Sequence, residues 1–217
     1  MSSTPLRING ERLMRRLMEL AEVGAIDGGG NCRLALTDAD RDGRDLVVKW
    51  MRELGLTITI DRIGNVVGTR SGTQDGPPVT MGSHIDTVRT GGKYDGNLGV
   101  LAGLEVIETL EEAGVVTGHP VAVAFFTNEE GARFAPDMMG SAVHQGALPL
   151  AEALATRGID GPTVGDELAR IGYAGDTEVG SMRAAAYFEL HIEQGPVLER
   201  EGFEVGAVTG VQGISWT

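Results

Sequence analysis

Two histidines lie in motifs that could bind a metal ion. His84 occurs in the segment GSHIDTV, two residues before Asp86, and His191 occurs in HIEQGP, three residues before Gln194. Residues two apart on a strand point to the same face, so Asp86 is placed to orient the His84 imidazole or to accept a hydrogen bond from it. For each motif alone, a structural histidine at the end of a strand is an open alternative.

Three carboxylates could supply oxygen ligands and a base to the same site. Asp95 lies in the glycine-rich segment GGKYDGNLGV, and Glu129 and Glu130 are adjacent in TNEEGARF. Adjacent carboxylates raise each other's pKa unless a cation or a proton lies between them. One of the pair could bind a metal while the other acts as a general base on water. A helix cap at Asp95 or Asn97 and a solvated acidic turn at the glutamates are the alternatives.

Together the four motifs indicate a metal-dependent hydrolase. Imidazole and carboxylate donors suit zinc, manganese, cobalt and nickel. A serine or cysteine nucleophile is the weaker explanation, because Ser83 and Ser141 lack a G-x-S-x-G motif and Cys32 has no adjacent histidine. The glycine-rich loop matches neither phosphate-binding pattern, which argues against nucleotide binding.

The composition excludes several other classes of protein. The 217 residues include 18 Lys and Arg against 31 Asp and Glu, for a net charge of −13, and 41% are hydrophobic. That apolar fraction is enough for a core, while the negative charge disfavours binding to nucleic acid or to an anionic membrane. A single cysteine excludes an internal disulfide framework, and no apolar run is long enough for a membrane span or a signal peptide. We therefore expect a cytoplasmic protein.

Apolar periodicity predicts an α/β fold with a mostly parallel or mixed sheet flanked by helices. The predicted helices cover residues 9–23, 37–54, 97–113, 150–157 and 164–171. The predicted strands cover residues 57–61, 65–70, 79–85, 119–126, 184–192 and 203–211, and residues 134–148 are predicted to be an ordered loop. The polar motifs lie at or after strand ends, and open α/β sheets bind ligands beyond the carboxyl ends of their strands.

The order and spacing of GSHIDTV, GGKYDGNLGV, TNEEGARF and ELHIEQGPVLE resemble the amidase/hydantoinase/carbamoylase branch of the M20 metallopeptidase-like family. The resemblance implies a zinc-peptidase-like catalytic domain that hydrolyses a small ureido or carbamoyl substrate, such as an N-carbamoyl-L-amino acid, ureidopropionate or allantoate. The HIEQGP string separates this branch from the peptidases and deacylases of the superfamily, which are the alternative enzymes.

The resemblance also implies a ligand set for two divalent metal ions, zinc or manganese, with cobalt or nickel also possible. Asp95 would bridge the two ions, His84 and His191 would complete one site, and Glu130 would bind the second ion.

Three further residues receive roles from the same resemblance. Glu129 would be the general base, Asp86 would be a catalytic residue behind the metal-binding histidine, and Gln194 would bind the substrate.

Members of this branch are longer than this chain and form homodimers. We therefore expect residues 1–210 to be the N-terminal portion of an incomplete catalytic domain and residues 211–217 to begin the connection to an absent dimerisation domain. The second metal site would then lack a histidine. His119 is predicted to lie at the wrong end of the sheet, which leaves His144 as a possible replacement. A non-catalytic fragment or binding subunit that retains one metal site is the alternative.

Overall fold

The computed structural model describes residues 5–210, which form seven helices and five strands. The helices are α1 (Gly10–Glu22), α2 (Asp38–Glu53), α3 (Asn97–Glu112), α4 (Met139–Gln145), α5 (Leu150–Ala155), α6 (Val164–Ile171) and α7 (Val197–Glu201). The strands are β1 (Thr57–Ile60), β2 (Val66–Arg70), β3 (Val79–His84), β4 (Val121–Phe126) and β5 (Ala186–Phe188). The predicted connection at residues 211–217 lies outside the described residues.

The five strands form one mixed sheet in the order β1-β2-β4-β3-β5. The β1–β2 hairpin and the β2–β4 pair are antiparallel, whereas β3 is parallel to both β4 and β5. Helix α3 provides the crossover between β3 and β4. The predicted α/β fold is confirmed. Because three adjacent strands are parallel, the residues that follow β3, β4 and β5 meet at one edge of the sheet.

Polar side chains fix the starts of the first two helices. The Asn9 side chain accepts a hydrogen bond from the Arg12 amide, and the Thr37 side chain accepts one from the Asp40 amide. These caps place both helix starts within a residue of the sequence prediction. Among the described residues, no helix is both long and apolar enough to cross a bilayer.

The hydrophobic core lies between the sheet and helices α1 to α3. Helix α3 packs on β3 and β4, α2 packs on β1 and β2, and α1 packs on α3. Fully buried members of this core include Leu20, Val47, Met51, Leu104, Ile107, Val123 and Phe125. The core therefore packs against β3 and β4, two of the three parallel strands.

Buried ion pairs connect α1 to α3 within this layer. The Arg12 guanidinium donates to both oxygens of Glu105, each at 2.7 Å, and also contacts Glu108 and Glu112. Arg16 lies 2.7 Å from a carboxylate oxygen of Glu108. These pairs are almost fully shielded from water at Arg12 and Glu105, so each charge depends on its partner.

Three sequence predictions for the second half of the chain are wrong. Residues 134–148 contain helix α4, where Met139 and Val143, one turn apart, are buried in the core. The strand predicted over 184–192 is limited to β5, which within residues 5–210 pairs only with β3 before the chain leaves the sheet. Residues 203–210 are not a strand, and they follow the short helix α7; residue 211 lies outside the described residues.

Candidate metal centre

His84 is the last residue of β3, and its side chain is only 2% exposed. Gly96 makes room for the imidazole, because a Cβ atom at that position would lie 2.5 Å from three ring atoms. The Nδ1 atom lies 3.0 Å from the backbone carbonyl oxygen of Asp86. A proton on Nδ1 would satisfy that carbonyl and leave the Nε2 lone pair directed toward Asp95, whose Oδ1 is 3.7 Å away.

Asp95 lies two residues before the start of helix α3, but it does not cap that helix. The N-cap residue is Gly96, with a φ of 64°, and neither Asp95 nor Asn97 forms a side-chain cap there. The capping alternative is therefore wrong. One carboxylate oxygen of Asp95 instead lies 3.1 Å from Nε2 of His191, and the other accepts a hydrogen bond from the Gln194 amide at 2.7 Å.

His191 reaches the same point from the segment after β5. Its side chain is 31% exposed, and its Nδ1 lies 2.9 Å from the backbone carbonyl oxygen of Ile192. The rings of His84 and His191 stack, with their centroids 6.0 Å apart. One ligand atom from each of His84, Asp95 and His191 lies within 4.8 Å of the other two.

This donor set fits a divalent metal ion. Both histidines use Nδ1 on a backbone carbonyl and direct Nε2 toward the same carboxylate, which is the usual arrangement of metal-binding imidazoles. Two nitrogen donors and one oxygen donor are typical of zinc sites that keep an open coordination position. The open alternative of isolated structural histidines does not account for this convergence.

The charges in the cluster favour a bound cation. Burial opposes protonation of His84, but the nearby carboxylates of Asp95, Asp86 and Glu129 outweigh it and raise the pKa to about 9. The hydrogen bond to Asp95 raises the pKa of His191 to about 9 as well. The two histidines in turn hold the pKa of Asp95 well below its usual range. The Asp95 carboxylate is therefore ionised at neutral pH, where it can pair with protonated imidazoles or bind a metal ion.

The two glutamates lie in a turn that follows β4, and the Asp86 side chain stabilises this turn. The Asp86 carboxylate accepts hydrogen bonds from the backbone amides of Glu129 at 3.1 Å and Glu130 at 3.2 Å. Asn128 adopts a φ of 53° at the start of the turn, and its side chain donates to the backbone carbonyl of Phe134 at 2.8 Å. This turn directs the Glu129 carboxylate toward His84, with an Oε2 to Nε2 distance of 3.4 Å.

Burial raises the pKa of all three acids in this part of the site. The pKa of Glu130 rises to about 7, because the acid is partly removed from water and lies near the charges of Asp95, Asp86 and Glu129. Burial also raises the pKa of Glu129 and of Asp86. A fully solvated acidic turn would show no such shift, so the alternative of a solvated turn does not describe these glutamates.

The structure assembles most of the predicted residues and separates others. The three-residue cluster does not include Glu130. Gln194 contacts the cluster by donating a hydrogen bond to Asp95. His144 packs edge-on against Phe126, with ring centroids 6.1 Å apart, and is not part of the cluster.

Asp86 differs in one respect from the sequence prediction. Strand β3 ends at His84, so the argument from strand alternation does not extend to Asp86. The imidazole is oriented by the backbone carbonyl of Asp86, and the nearer carboxylate oxygen lies 3.8 Å from Nδ1. The carboxylate itself organises the glutamate turn.

Several polar residues near the site were not predicted. Ser83 donates a hydrogen bond to Glu189, and Tyr187 donates to the other oxygen of the same carboxylate at 3.2 Å. Ser83, Glu189 and Glu129 line an open cleft of about 1100 Å³ on the exposed face of the sheet. Tyr187 and Glu189 are two residues apart, so the period of two in AYFEL could have placed them on one face. Asn128 offers no comparable signal, because its role depends on backbone conformation.

Comparison with known proteins identifies relatives over almost the whole chain. A model described as Peptidase family M20/M25/M40 matches residues 80–212. An N-carbamoyl-L-amino-acid amidohydrolase from Rhizobium meliloti is 51% identical over 211 residues, which are 97% of this chain and 51% of that protein. A ureidoglycolate hydrolase from Arabidopsis thaliana is 37% identical over 219 residues, covering 96% of this chain and 46% of that protein. The chain spans about half the length of the curated relatives it matches.

Solved structures of amidases are similar to this chain over a comparable length. A hydantoinase/carbamoylase family amidase from Burkholderia ambifaria is 52% identical and superimposes with a TM-score of 0.89, covering 92% of this chain and 49% of that one. A second amidase of this family, from Burkholderia phymatum, is 36% identical with a TM-score of 0.81 and covers 92% of this chain and 49% of its own. The mixed sheet and its helices are therefore shared with these amidases.

Proposed function

The chain belongs to peptidase family M20/M25/M40, and from this premise we propose that it carries the metal-binding part of a hydrolase that cleaves a carbamoyl or ureido C–N bond. The observation that carries the proposal is the convergence of His84, Asp95 and His191 from three separate segments. The names of its relatives, amidohydrolases of N-carbamoyl-L-amino acids and a hydrolase of ureidoglycolate, support this class of substrate.

The proposed ligands of the first divalent ion are His84, Asp95 and His191. Asp95 and Glu130 would contribute to a second ion, and two carboxylates alone make an incomplete site. Zinc and manganese are the proposed metals, and the same donors suit cobalt and nickel. When bound, the metal would polarise the substrate carbonyl and lower the pKa of a water molecule.

Glu129 is the proposed general base. Its carboxylate lies 3.4 Å from the His84 ring, next to the proposed ligands but outside their cluster. Burial raises its pKa, which makes the carboxylate a stronger proton acceptor than an exposed glutamate. Glu129 would take a proton from the attacking water and return it to the leaving nitrogen.

Asp86 and Gln194 would act by holding other groups in place. Asp86 fixes the glutamate turn through two backbone amides and orients the His84 ring through its carbonyl. Gln194 bonds to Asp95 through its amide nitrogen, and its amide oxygen could accept a hydrogen bond from a ureido N–H group of the substrate.

Ammonia release tests the proposal directly. Hydrolysis of a terminal carbamoyl group, R–NH–CO–NH₂ + H₂O, gives R–NH₂, CO₂ and NH₃. The 217-residue chain would be incubated with Mn²⁺ or Zn²⁺ and with N-carbamoyl-L-amino acids, 3-ureidopropionate, allantoate or ureidoglycolate. A dipeptide would serve as the substrate for the alternative peptidase activity. We expect ammonia from at least one ureido compound and no cleavage of the dipeptide.

The variant Glu129→Gln separates the base from the metal ligands. We expect it to bind metal like the wild type and to lose about 100-fold or more of the hydrolysis rate, the range typical for a general base. Glu152→Gln, an exposed change on α5, is the matched control and should be fully active. Equal activity of Glu129→Gln and wild type would contradict the role of Glu129, and a chain that binds neither metal, or that cleaves only the dipeptide, would contradict the proposal.

A further inference from the structure

A fully buried arginine lies behind the loop that carries the candidate ligands. Arg33, which is 0% exposed, belongs to the segment between α1 and α2. Its Nε donates to the carbonyl oxygen of Ile85 at 2.7 Å, and Nη2 donates to the side-chain oxygen of Asn97 at 2.9 Å. Ile85 follows the ligand His84 directly, and Asn97 lies two residues after Asp95. One guanidinium therefore joins the two ends of the loop formed by residues 85–97.

Backbone hydrogen bonds hold the middle of the same loop. The amide and carbonyl of Asn31 pair with those of Gly91 at 3.0 and 2.9 Å. The Arg33 amide donates to the Thr87 hydroxyl at 2.8 Å, and the Thr87 amide donates to the Arg33 carbonyl at 2.9 Å. Residues 31–33 thus hold the 85–97 loop at four points, with Asp95 between the last two of them.

Glycine residues on two elements make room for this arrangement. A Cβ atom at Gly43, in the interior of α2, would lie 2.7 Å from Cδ of Arg33. A glycine in a helix interior lowers helix stability by about 1 kcal/mol relative to alanine, so α2 is less stable at the position where the Arg33 side chain packs against it. A Cβ atom at Gly91 would lie 2.9 Å from Cβ of Thr87. The two glycines therefore leave space for the Arg33 side chain and for the close packing of the loop on itself.

The partners of Arg33 distinguish it from the other buried arginines. Its acceptors in the described part of the chain are neutral: the carbonyls of Leu20, Val23 and Ile85 and the side-chain oxygens of Asn31 and Asn97. Arg12 and Arg44, by contrast, each bind a carboxylate. Burial lowers the pKa of Arg33 to about 10, so it is still charged at neutral pH. A buried guanidinium that binds neutral acceptors on several segments is suited to fixing their relative positions.

We propose that Arg33 is a positioning residue of the candidate metal centre, which fixes the loop of residues 85–97 so that His84 and Asp95 face each other before a metal binds. This inference rests on the proposed metal-binding function. Its effect would be on metal affinity and ligand geometry, beyond any effect on folding.

Titration of the full 217-residue chain with Co²⁺ tests this role. Calorimetry would give the Kd, and the visible absorption of bound Co²⁺ would report the ligand geometry. We expect Arg33→Lys, which keeps the charge but cannot span the same acceptors, to bind Co²⁺ about 10- to 100-fold more weakly, with an altered absorption band. Asn97→Ala, which leaves the arginine in place but removes one acceptor on the loop, should weaken binding in the same direction.

Arg44→Lys is the matched control. Arg44 is as buried as Arg33, but it binds Asp40, the Gly64 carbonyl and the Thr127 hydroxyl, none of which belongs to the 85–97 loop. This variant should lower the unfolding temperature while retaining the wild-type Kd and Co²⁺ spectrum.

The outcomes separate the inference from the function on which it rests. A wild-type chain that does not bind Co²⁺ would overturn the proposed function, and the inference with it. Wild-type binding together with unchanged Kd and spectra in Arg33→Lys and Asn97→Ala would overturn the inference alone. Equal weakening by Arg44→Lys would also overturn it, because the effect would then reflect stability. If Arg33→Lys does not fold, Asn97→Ala decides the question.

Discussion

The two ends of helix α3 carry groups of carboxylates that are balanced in different ways. Toward its C-terminal half, Glu105, Glu108 and Glu112 face the guanidinium groups of Arg12 and Arg16 on α1. Just before its N-terminus, Asp95 faces two imidazoles, with further acids on the neighbouring glutamate turn. Within residues 5–210, the first group is therefore paired with guanidinium groups, which are permanent cations, and Asp95 of the second group is paired with imidazoles, which titrate.

The pKa shifts of Glu105 and Glu130 follow this difference, whereas the two imidazoles hold the pKa of Asp95 below its usual range. Burial opposes ionisation of Glu105, but the hydrogen bonds and charge of Arg12 outweigh it and lower the pKa. Burial raises the pKa of Glu130 to about 7, and nearby acids add to the shift. The first group is therefore part of the scaffold, whereas the second group is stabilised by a bound proton or an added cation. Four substitutions test this contrast, from the largest expected effect to the smallest.

Arg12→Ala should give the largest loss of stability. It leaves Glu105 buried without its cation, which typically costs about 3–5 kcal/mol. Urea denaturation of the metal-free chain would measure the loss, with the exposed Arg15→Ala on the same helix as the control. Metal affinity of the folded fraction should not change. A loss below about 1 kcal/mol, the value of an exposed pair, would remove the proposed difference between the two groups.

Asp95→Ala should act mainly on metal binding, which Arg12→Ala leaves unchanged. It removes the carboxylate shared by both histidines, and we expect metal binding to weaken by about 100-fold or more, beyond the range for residues outside the ligand set. The metal-free chain should also lose some stability at neutral pH, because the ionised Asp95 carboxylate pairs with the two imidazoles there. Calorimetric titration with Zn²⁺ or Mn²⁺ is the measurement, and the exposed Asp27→Ala is the control. Unchanged affinity would show that the acids near α3 do not require a cation.

Glu105→Gln should destabilise the chain in a pH-dependent way. Because the folded pKa is below the unfolded value near 4.5, the ionised Glu105 contributes stability above that pH and loses it as the pH falls. We expect a deficit of about 1–3 kcal/mol at pH 7 that narrows in acid. Urea denaturation at several pH values would measure it, and a deficit independent of pH would contradict the assigned role.

Glu130→Gln should stabilise the metal-free chain at alkaline pH, whereas Glu105→Gln should destabilise it, and this effect should be the smallest of the four. The folded pKa near 7 exceeds the unfolded value, so ionisation of Glu130 weakens the metal-free chain as the pH rises through 7. The neutral variant should be more stable than the wild type at pH 8, by about 1 kcal/mol after allowance for solvent screening, and equal to it near pH 4.5. The same urea experiments in the presence of a chelator would test this.

Most of the fold could be predicted because its signals are local. Apolar periodicity and the caps Asn9 and Thr37 located the first two helices, and the change to a period of two located the β1–β2 hairpin. Helix α4 was missed because Gly140, in its first turn, argues against a helix. That glycine is required by packing, since a Cβ atom there would lie 2.5 Å from the Thr127 amide nitrogen.

Strand length was less predictable because it depends on neighbours. The apolar run of residues 184–192 is compatible with a long strand, but in the described part of the chain β5 has a pairing partner on one side only. The chain leaves the sheet after Phe188, which allows His191 to turn toward Asp95.

The site was predicted in its residue types and only partly in its geometry. The sequence placed His84, Glu129 and His191 at or after strand ends, and the structure has all three at one edge of the sheet. The contact between Gln194 and Asp95 was not predictable, because Gln194 adopts a φ of 53°, which a sequence pattern does not reveal. The contribution of Arg33 was also hidden, since its acceptors are mainly backbone carbonyls.

The separation of the candidate ligands along the chain sets the order of events during biosynthesis. His84 and His191 are 191 − 84 = 107 residues apart. At a synthesis rate of about 5–20 residues per second, the second histidine leaves the ribosome roughly 5–20 s after the first. The β1–β4 sheet and helix α3 can fold within that interval, because elementary folding steps take micro- to milliseconds. A cation would therefore be captured by a largely folded nascent chain, as a late event that secures the β5 segment.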